Sequence, residues 1–384
     1  MIHAEEFVEA VRALGYETYA GVPCSFLTPF INYVINDARL TYISSANEGD
    51  ALATAAGAAI GGKRSVVMMQ NSGLGNAVSP ITSLAYVFRI PMLLICTHRG
   101  APGVHDEPQH ELMGQITGAM LDTMRVPWEG FPTEAKHIDP ALARARQYME
   151  REQRPYGLIM EKGTVAKHDL KRTTAGTGRA SGALHINGAQ VGAKRLSRTD
   201  ALKHIIPLTP ERNTVVIATT GYTGRELYAL ADRVNHLYMV GSMGCASSMG
   251  MGLALARPDL KVVVIDGDGA ALMRMGNFAT LGAYGGDNLY HIVLDNEAHD
   301  STGAQSTVSA GVSFASIAQA CGYGFSVAGD TIDVVDNVLR DTAHRGPKFA
   351  HLKIATGTIE NLPRPKASPP EVLRRLMAHI GTAF

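Results

Sequence analysis

The 384-residue chain is short of net charge: its 35 basic side chains balance 35 acidic ones, and charged residues make up only 18% of it. A zero balance argues against a nucleic-acid binder that relies on a basic surface, and against a polybasic membrane patch. Cysteine is scarce too. Cys24, Cys96, Cys245 and Cys321 are scattered, with no C-x-x-C pair, so neither a zinc knuckle nor a disulfide framework is indicated, and a reduced, cytoplasmic setting fits. No uncharged apolar stretch reaches the roughly 20 residues of a membrane span. The opening residues MIHAEEFVEAVRALGY carry acids where a signal peptide needs a basic and then an apolar run. They read as an amphipathic helix of the mature fold. These absences leave a small molecule as the expected ligand.

What is abundant is apolar and small: 46% hydrophobic residues and 40 glycines. Little charge and many small residues suit tightly packed α/β layers. At about 100–200 residues per domain, the length suggests two or three domains. Short apolar runs alternate with helical patterns. Tyr19–Val22, Tyr42–Ser45, Ser65–Gln70, Ile90–Cys96 and Tyr156–Met160 read as strands, and residues 4–14 and 48–60 as helices. After a Gly-, Ala-, Ser- and Lys/Arg-rich stretch the alternation returns, with strands at Thr214–Thr219, Leu237–Val240, Lys261–Asp266 and Tyr290–Leu294. Helices are expected over Ser247–Ala256, 272–284 and 369–382. The fold class is therefore α/β, with two doubly wound parallel-sheet domains at 1–165 and 198–384 and a linker at 166–197.

The sharpest chemical pattern runs from Lys261 to Asn296. An apolar strand ends in Gly267-Asp268-Gly269, a helical segment follows, and a second apolar strand ends in Asp295-Asn296. In a parallel sheet both strand ends fall on one edge, where ligands bind. Glycines let phosphate approach the backbone, and a helix N-terminus offers N–H groups to an anion. Asp268 and Asn296, 28 residues apart, supply oxygens suited to a hard cation such as Mg²⁺. A dinucleotide fold is the competing reading. It is weakened because Leu272 stands where G-x-G-x-x-G needs its third glycine.

This pattern resembles the signature of the thiamine diphosphate enzymes. The resemblance implies that Asp268, Asn296 and the Ala298 carbonyl hold Mg²⁺ on the cofactor's diphosphate. It further implies cofactor contacts from Gly267, Gly269 and Ala270, from Thr220-Gly221 after another strand, and from Ser242-Met243, with Met243 propping the bent cofactor. Two departures stand out. The spacing is one residue longer than in many members, an insertion placed in Gly285-Gly286-Asp287-Asn288, and the usual Asn-Asn pair is Asp295-Asn296. Neither removes a ligand. The resemblance also calls for a glutamate on the aminopyrimidine ring. Glu48, in Asn47-Glu48-Gly49-Asp50 at the start of an Ala-rich helix, takes that catalytic role.

Further segments narrow the likeness to the phosphonopyruvate decarboxylase family. They are Gly21-Val22-Pro23-Cys24-Ser25, Gln70-Asn71-Ser72-Gly73-Leu74-Gly75-Asn76, Arg99-Gly100, Asp106-Glu107-Pro108-Gln109-His110, Thr219-Thr220-Gly221 with Arg225-Glu226, and His299-Asp300-Ser301-Thr302-Gly303. Sulfopyruvate decarboxylases are near neighbours. The implied activity is decarboxylation of 3-phosphonopyruvate in phosphonate biosynthesis, by a homo-oligomer with active sites at subunit interfaces. Ser25, Asn71, Ser72, Arg99, His105, His110 and Arg225 are the candidate donors for an anionic substrate, Arg being the natural bidentate partner of such groups. Asp106 and Glu107 would repel it, and are expected to orient neighbouring cations or to lie away from it. Two other classes stay open, a nucleotide-dependent oxidoreductase and a non-catalytic binding homologue. The second is disfavoured by Glu48 occurring beside Asp268 and Asn296.

Overall fold

Continuous apolar runs demand cover on both faces, and here they form parallel strands. The computed structural model describes residues 1–172, 179–187 and 194–384. The chain divides into two units, Met1–Gly176 with Phe384, and Thr177–Ala383. The first holds β1 (Tyr16–Gly21), β2 (Thr41–Ser44), β3 (Arg64–Gln70), β4 (Leu93–Thr97), β5 (Trp128–Gly130) and β6 (Tyr156–Met160), in the order β2-β1-β3-β4-β6-β5. All neighbours are parallel. β4 and β6 are buried from end to end, as strands covered on both faces must be. The helix Glu48–Ile60 is buried at every residue. Its alanines and glycines let it lie close against β1, β3 and the helix Leu74–Pro80. Phe7, Phe30 and Phe131 pack ring against ring in the core, with centroids 4.5–5.5 Å apart.

The second unit holds β7 (Ala183–Ile186), β8 (Thr214–Ala218), β9 (His236–Tyr238), β10 (Lys261–Gly267) and β11 (Leu289–Asp295). A two-stranded antiparallel ribbon follows, β12 (Ala298–His299) with β13 (Gln305–Ser306), and then β14 (Phe325–Gly329) and β15 (Lys348–Lys353). The parallel order is β7-β14-β15-β11-β10-β8-β9. Among the described residues, no helix is long and apolar enough to cross a membrane.

Two expectations need correction. Within the stretch read as a linker, Ala183–Ile186 is an edge strand paired with β14. It is half-exposed, and therefore lacks the apolar signal by which a strand is read. Residues 173–178 and 188–193 of that stretch lie outside the described residues. The helix expected over 272–284 is two helices, Asp268–Met273 and Asn277–Tyr284. The first begins directly on Asp268, and the chain turns at Gly276 before the second.

Topology decides where ligands can bind. β1 has β2 on one side and β3 on the other, so the chain reverses direction across the sheet between β1 and β3. In the second sheet the same reversal falls between β8 and β10. In open α/β sheets such switch points leave a crevice at the carboxyl ends of the strands.

Candidate active site

At the first switch point, β2 leads into Asn47-Glu48. The Asn47 side chain accepts a hydrogen bond from Gly49 N at 2.8 Å, capping the helix that Glu48 opens. Glu48 is 9% exposed. Asn76 Nδ2 donates to its Oε2 at 2.7 Å. On the other side, its carboxyl lies against Gly73, where an added Cβ would sit 2.3 Å from Glu48 Oε1. Asn76 and Gly73, both from the segment after β3, hold the acid in place.

The other candidates in this unit have different surroundings. Arg99 donates from Nε to Asp106 Oδ2 at 2.6 Å, from Nη2 to Asp106 Oδ1, and from Nη1 to Ser25 Oγ at 3.1 Å. The Arg99 guanidinium holds the Asp106 carboxyl well below the usual carboxylate range. Asp106 orients the arginine, as expected, so Arg99 is already paired with a carboxylate. Asn71 is fully buried. Its amide donates to Arg99 O at 2.8 Å and to Thr117 Oγ1 at 3.0 Å, so it ties loops together and has no N–H left for a ligand. Ser72 is exposed and accepts from Gln70. His105 is exposed and His110 buried, with His110 Nδ1 lacking a hydrogen-bond partner among the described residues. His98 Nε2 lies 2.8 Å from Gly114 O.

At the second switch point a cavity of about 70 Å³ is lined by Thr220, Gly221, Met243, Gly267, Asp268, Gly269, Ala270, Asn296 and Ala298, among others. Every cofactor and metal residue expected in this unit is there except Ser242. That residue precedes Met243 with φ +50°, a left-handed conformation uncommon outside glycine. Gly269 is required by close packing, because a Cβ there would meet the His299 ring at 2.7 Å and Met243 Cε at 3.0 Å. Asp268 is 3% exposed. Burial raises its carboxyl above the ordinary value, and hydrogen bonds from Thr307 and Ser309 offset part of this. A cation would relieve that penalty. Asp268, Asn296 and Ala298 line the same cavity, and a carboxylate, an amide and a backbone carbonyl are oxygen donors of the kind that could hold a hard cation. Among the described residues no cluster of three His, Cys, Asp or Glu side chains could hold a metal. A set with one carboxylate fits an ion that takes its remaining oxygens from a diphosphate.

Two of the cavity's own lining residues, Arg198 and Asp300, belong to a buried network that the sequence did not reveal. Asn296 Nδ2 donates to Asp300 Oδ2 at 2.7 Å, which aims the amide oxygen the other way. Arg198 Nη2 donates to the same Asp300 oxygen at 2.8 Å, and its Nη1 to Glu226 Oε1 at 2.9 Å. Thr199 and Thr358 complete the Glu226 carboxylate, both at 2.7 Å. The Asp295 departure has its own support. Burial alone would raise its carboxyl, but hydrogen bonds from His351, Lys353 and Ser309 outweigh burial and hold it below the usual range. The stretch Gly285–Asn288, in which the one-residue insertion was placed, forms the turn before β11, at the opposite edge from the site. There Asn288 Nδ2 donates to three carbonyls, of Ala254, Arg257 and Leu260.

Comparison with known proteins places the chain in a family. Residues 1–121 match the thiamine pyrophosphate enzyme N-terminal TPP binding domain, and residues 220–352 the C-terminal TPP binding domain. The chain is 44% identical to a phosphonopyruvate decarboxylase of Streptomyces viridochromogenes, over 100% of this chain and 96% of that protein. The chain belongs to the phosphonopyruvate decarboxylase family of thiamine pyrophosphate enzymes. A second phosphonopyruvate decarboxylase, from Streptomyces hygroscopicus, is 41% identical over 98% of this chain and 93% of its own length. A sulfopyruvate decarboxylase of Methanosarcina acetivorans is more distant, 28% identical over 97% of this chain and 96% of its own length. In fold, the Rhodococcus jostii RHA1 thiamine diphosphate-dependent 4-hydroxybenzoylformate decarboxylase aligns with a TM-score of 0.70 at 14% identity, covering 94% of this chain and 100% of that one. Family membership makes the chain a thiamine pyrophosphate-dependent decarboxylase. Glu48 and Asp268 both fall inside the matched segments. Arg198 lies outside them, and no spacing rule connects it to Glu226 or Asp300.

Proposed function

We propose that this decarboxylase acts on 3-phosphonopyruvate with thiamine diphosphate and Mg²⁺, giving phosphonoacetaldehyde and CO₂ as a step of phosphonate biosynthesis. The bond between the carboxylate carbon and the keto carbon breaks, and a proton replaces the departing CO₂ on what becomes the aldehyde carbon. The observation that carries the reading is the cavity at the β8–β10 switch point, lined by Asp268, Asn296 and Ala298 beside Gly267 and Gly269 at a strand end. Asp268, Asn296 and the Ala298 carbonyl would hold the Mg²⁺ that anchors the diphosphate. Thiamine diphosphate, when bound, supplies a ring that accepts the electron pair left by CO₂. Glu48 would hold a proton on its carboxyl against the aminopyrimidine ring nitrogen, with Asn76 fixing the other oxygen. Met243 would support the cofactor from below. Sulfopyruvate is the alternative substrate, and the greater distance of its decarboxylase weighs against it.

In the same reading, residues 1–165 serve the pyrimidine and residues 198–384 the diphosphate, with 166–197 between them, and the complete centre forms between two copies of the chain. Four free thiols suit a cytoplasmic enzyme. The test is turnover by purified protein with thiamine diphosphate and Mg²⁺, followed by phosphorus NMR. One phosphonoacetaldehyde per CO₂ is expected, and no consumption of phosphonopyruvate contradicts the proposal. The shared centre has a test of its own. Glu48→Gln and Asp268→Ala, each inactive alone, should regain activity when co-expressed, because one site of the mixed dimer keeps both native residues. No recovery argues for sites within single chains.

A further inference from the structure

Charge pairing sorts the arginines near the candidate site. Arg99 is taken up by Asp106, and Arg198 by Glu226 and Asp300. Arg225 is different. Its Nε donates to Pro363 O at 3.2 Å and its Nη2 to Leu362 O, both neutral carbonyls, and its guanidinium lies 5.6 Å from the Tyr222 ring centroid. Among the described residues it has no carboxylate partner. Arg364, the residue after Pro363, is exposed and has neither an ion pair nor a hydrogen bond there. The acid next to Arg225 in sequence, Glu226, is fully buried and turned to Arg198. Arg225 and Arg364 line one cavity of about 410 Å³, which shares Thr220, Gly221, Tyr222 and Ser301 with the cofactor cavity. Val372, buried, and Val240, half-exposed, complete its wall, and a hydrogen bond from an arginine to an anion made there is charge-assisted.

We propose that this cavity, between the start of the helix Tyr222–Leu230 and the segment before the helix Pro369–His379, receives the anionic tail of the substrate, with Arg225 and Arg364 as its counter-charges. The proposal rests on the function stated above. Of the two arginines that the sequence offered as donors, it selects Arg225 over Arg99 and adds Arg364. Two cations with no carboxylate partner match a phosphonate dianion better than a sulfonate, which carries one charge. Tail contacts lie away from the bond that breaks, so their loss should weaken substrate binding more than it slows the chemical step.

The test compares Arg364→Gln and Arg225→Gln with the wild-type holoenzyme, reading kcat and KM for phosphonopyruvate and for pyruvate, which has no anionic tail. Arg364 is exposed, so its replacement does not threaten the fold; Arg225 supports a loop, so thermal unfolding is recorded alongside. Losing one charge-assisted contact should raise KM for phosphonopyruvate about 10–100-fold, with a smaller change in kcat. The phosphonopyruvate-to-pyruvate ratio of kcat/KM should fall by a similar factor. Calorimetry should find thiamine diphosphate affinity retained in both variants. A ratio within twofold of wild type in Arg364→Gln overturns the tail site while leaving the proposed reaction standing. A wild-type enzyme that does not consume phosphonopyruvate overturns both.

Discussion

Gly73→Ala is the smallest change expected to disable the site. The glycine has φ −71° and ψ −14°, so alanine meets no backbone strain and would even lose less chain entropy on folding. The new Cβ, however, would lie 2.3 Å from Glu48 Oε1 and 2.5 Å from Glu48 Cδ and Cγ. Carbon atoms in contact sit at about 3.5–4.0 Å, so the carboxyl must move by roughly 1 Å or more. Its retreat is restricted, because Glu48 is buried and bonded to Asn76. A misplacement of about 1 Å can cost on the order of 10²-fold in rate, and complete loss of a general acid–base group about 10²–10⁴-fold. Turnover should therefore fall about 10²-fold, with overpacking lowering stability by about 1–3 kcal/mol. Cofactor affinity should change little, since the diphosphate residues lie in the other unit. The assay is steady-state kinetics on Gly73→Ala, Glu48→Gln and the double variant, with calorimetry for the cofactor. Because the alanine acts through Glu48, the double variant should be no slower than Glu48→Gln alone. Turnover within twofold of wild type in Gly73→Ala, or strictly additive losses in the double variant, would refute the steric argument.

The remaining predictions concern groups that position others. Asp300→Asn removes the carboxylate that orients Asn296, and such outer partners are worth about 10–100-fold in metal affinity; calorimetric titration of Mg²⁺ with thiamine diphosphate should weaken by that factor, and unchanged affinity counts against the network. Arg198→Met leaves Glu226 and Asp300 without their buried cation and should lower unfolding free energy by about 3–5 kcal/mol in a denaturant titration; a loss below 1 kcal/mol would contradict the pairing. Asp106→Asn should cost about 1–3 kcal/mol at neutral pH. The folded carboxyl of Asp106 titrates below its unfolded value, so the difference from wild type should be full above about pH 4 and shrink as pH falls further. A difference that is constant from pH 7 to pH 3 would show that the ion pair is not its source.

The elements that could be read from sequence were those with one continuous signal. Tyr156–Met160 and Glu48–Ile60 are found where they were expected, because an unbroken apolar run and an Asn cap before an Ala-rich helix leave little choice. β4 starts at Leu93 rather than Ile90 because Pro91 has no N–H for a ladder. The half-exposed β7 carried no apolar period, and β14 and β15 lay in a stretch without a motif to anchor them. The site divides in the same way. That Asp268 and Asn296 share one cavity was legible because strand ends in a parallel sheet share an edge, whereas Glu48, in the other sheet, was picked out by the resemblance alone. Arg198 and Arg364 were not legible. Arg198 ends the basic run Lys194-Arg195-Leu196-Ser197-Arg198 and Arg364 stands between two prolines, and the meaning of each comes from partners, or from a lack of partners, that only the fold reveals. The Arg99–Asp106 pair was expected from the neighbouring acid, although its geometry depends on how the intervening loop closes.

The most direct test is kcat/KM for phosphonopyruvate, sulfopyruvate and pyruvate, measured on one wild-type preparation with saturating thiamine diphosphate and Mg²⁺ at one pH and ionic strength. An anionic pocket with two arginines free of carboxylate partners predicts phosphonopyruvate first, sulfopyruvate second and pyruvate last, with at least about tenfold between the first and the last. Sulfopyruvate in first place would move the substrate to the neighbouring family, and pyruvate in first place would contradict the anionic pocket itself.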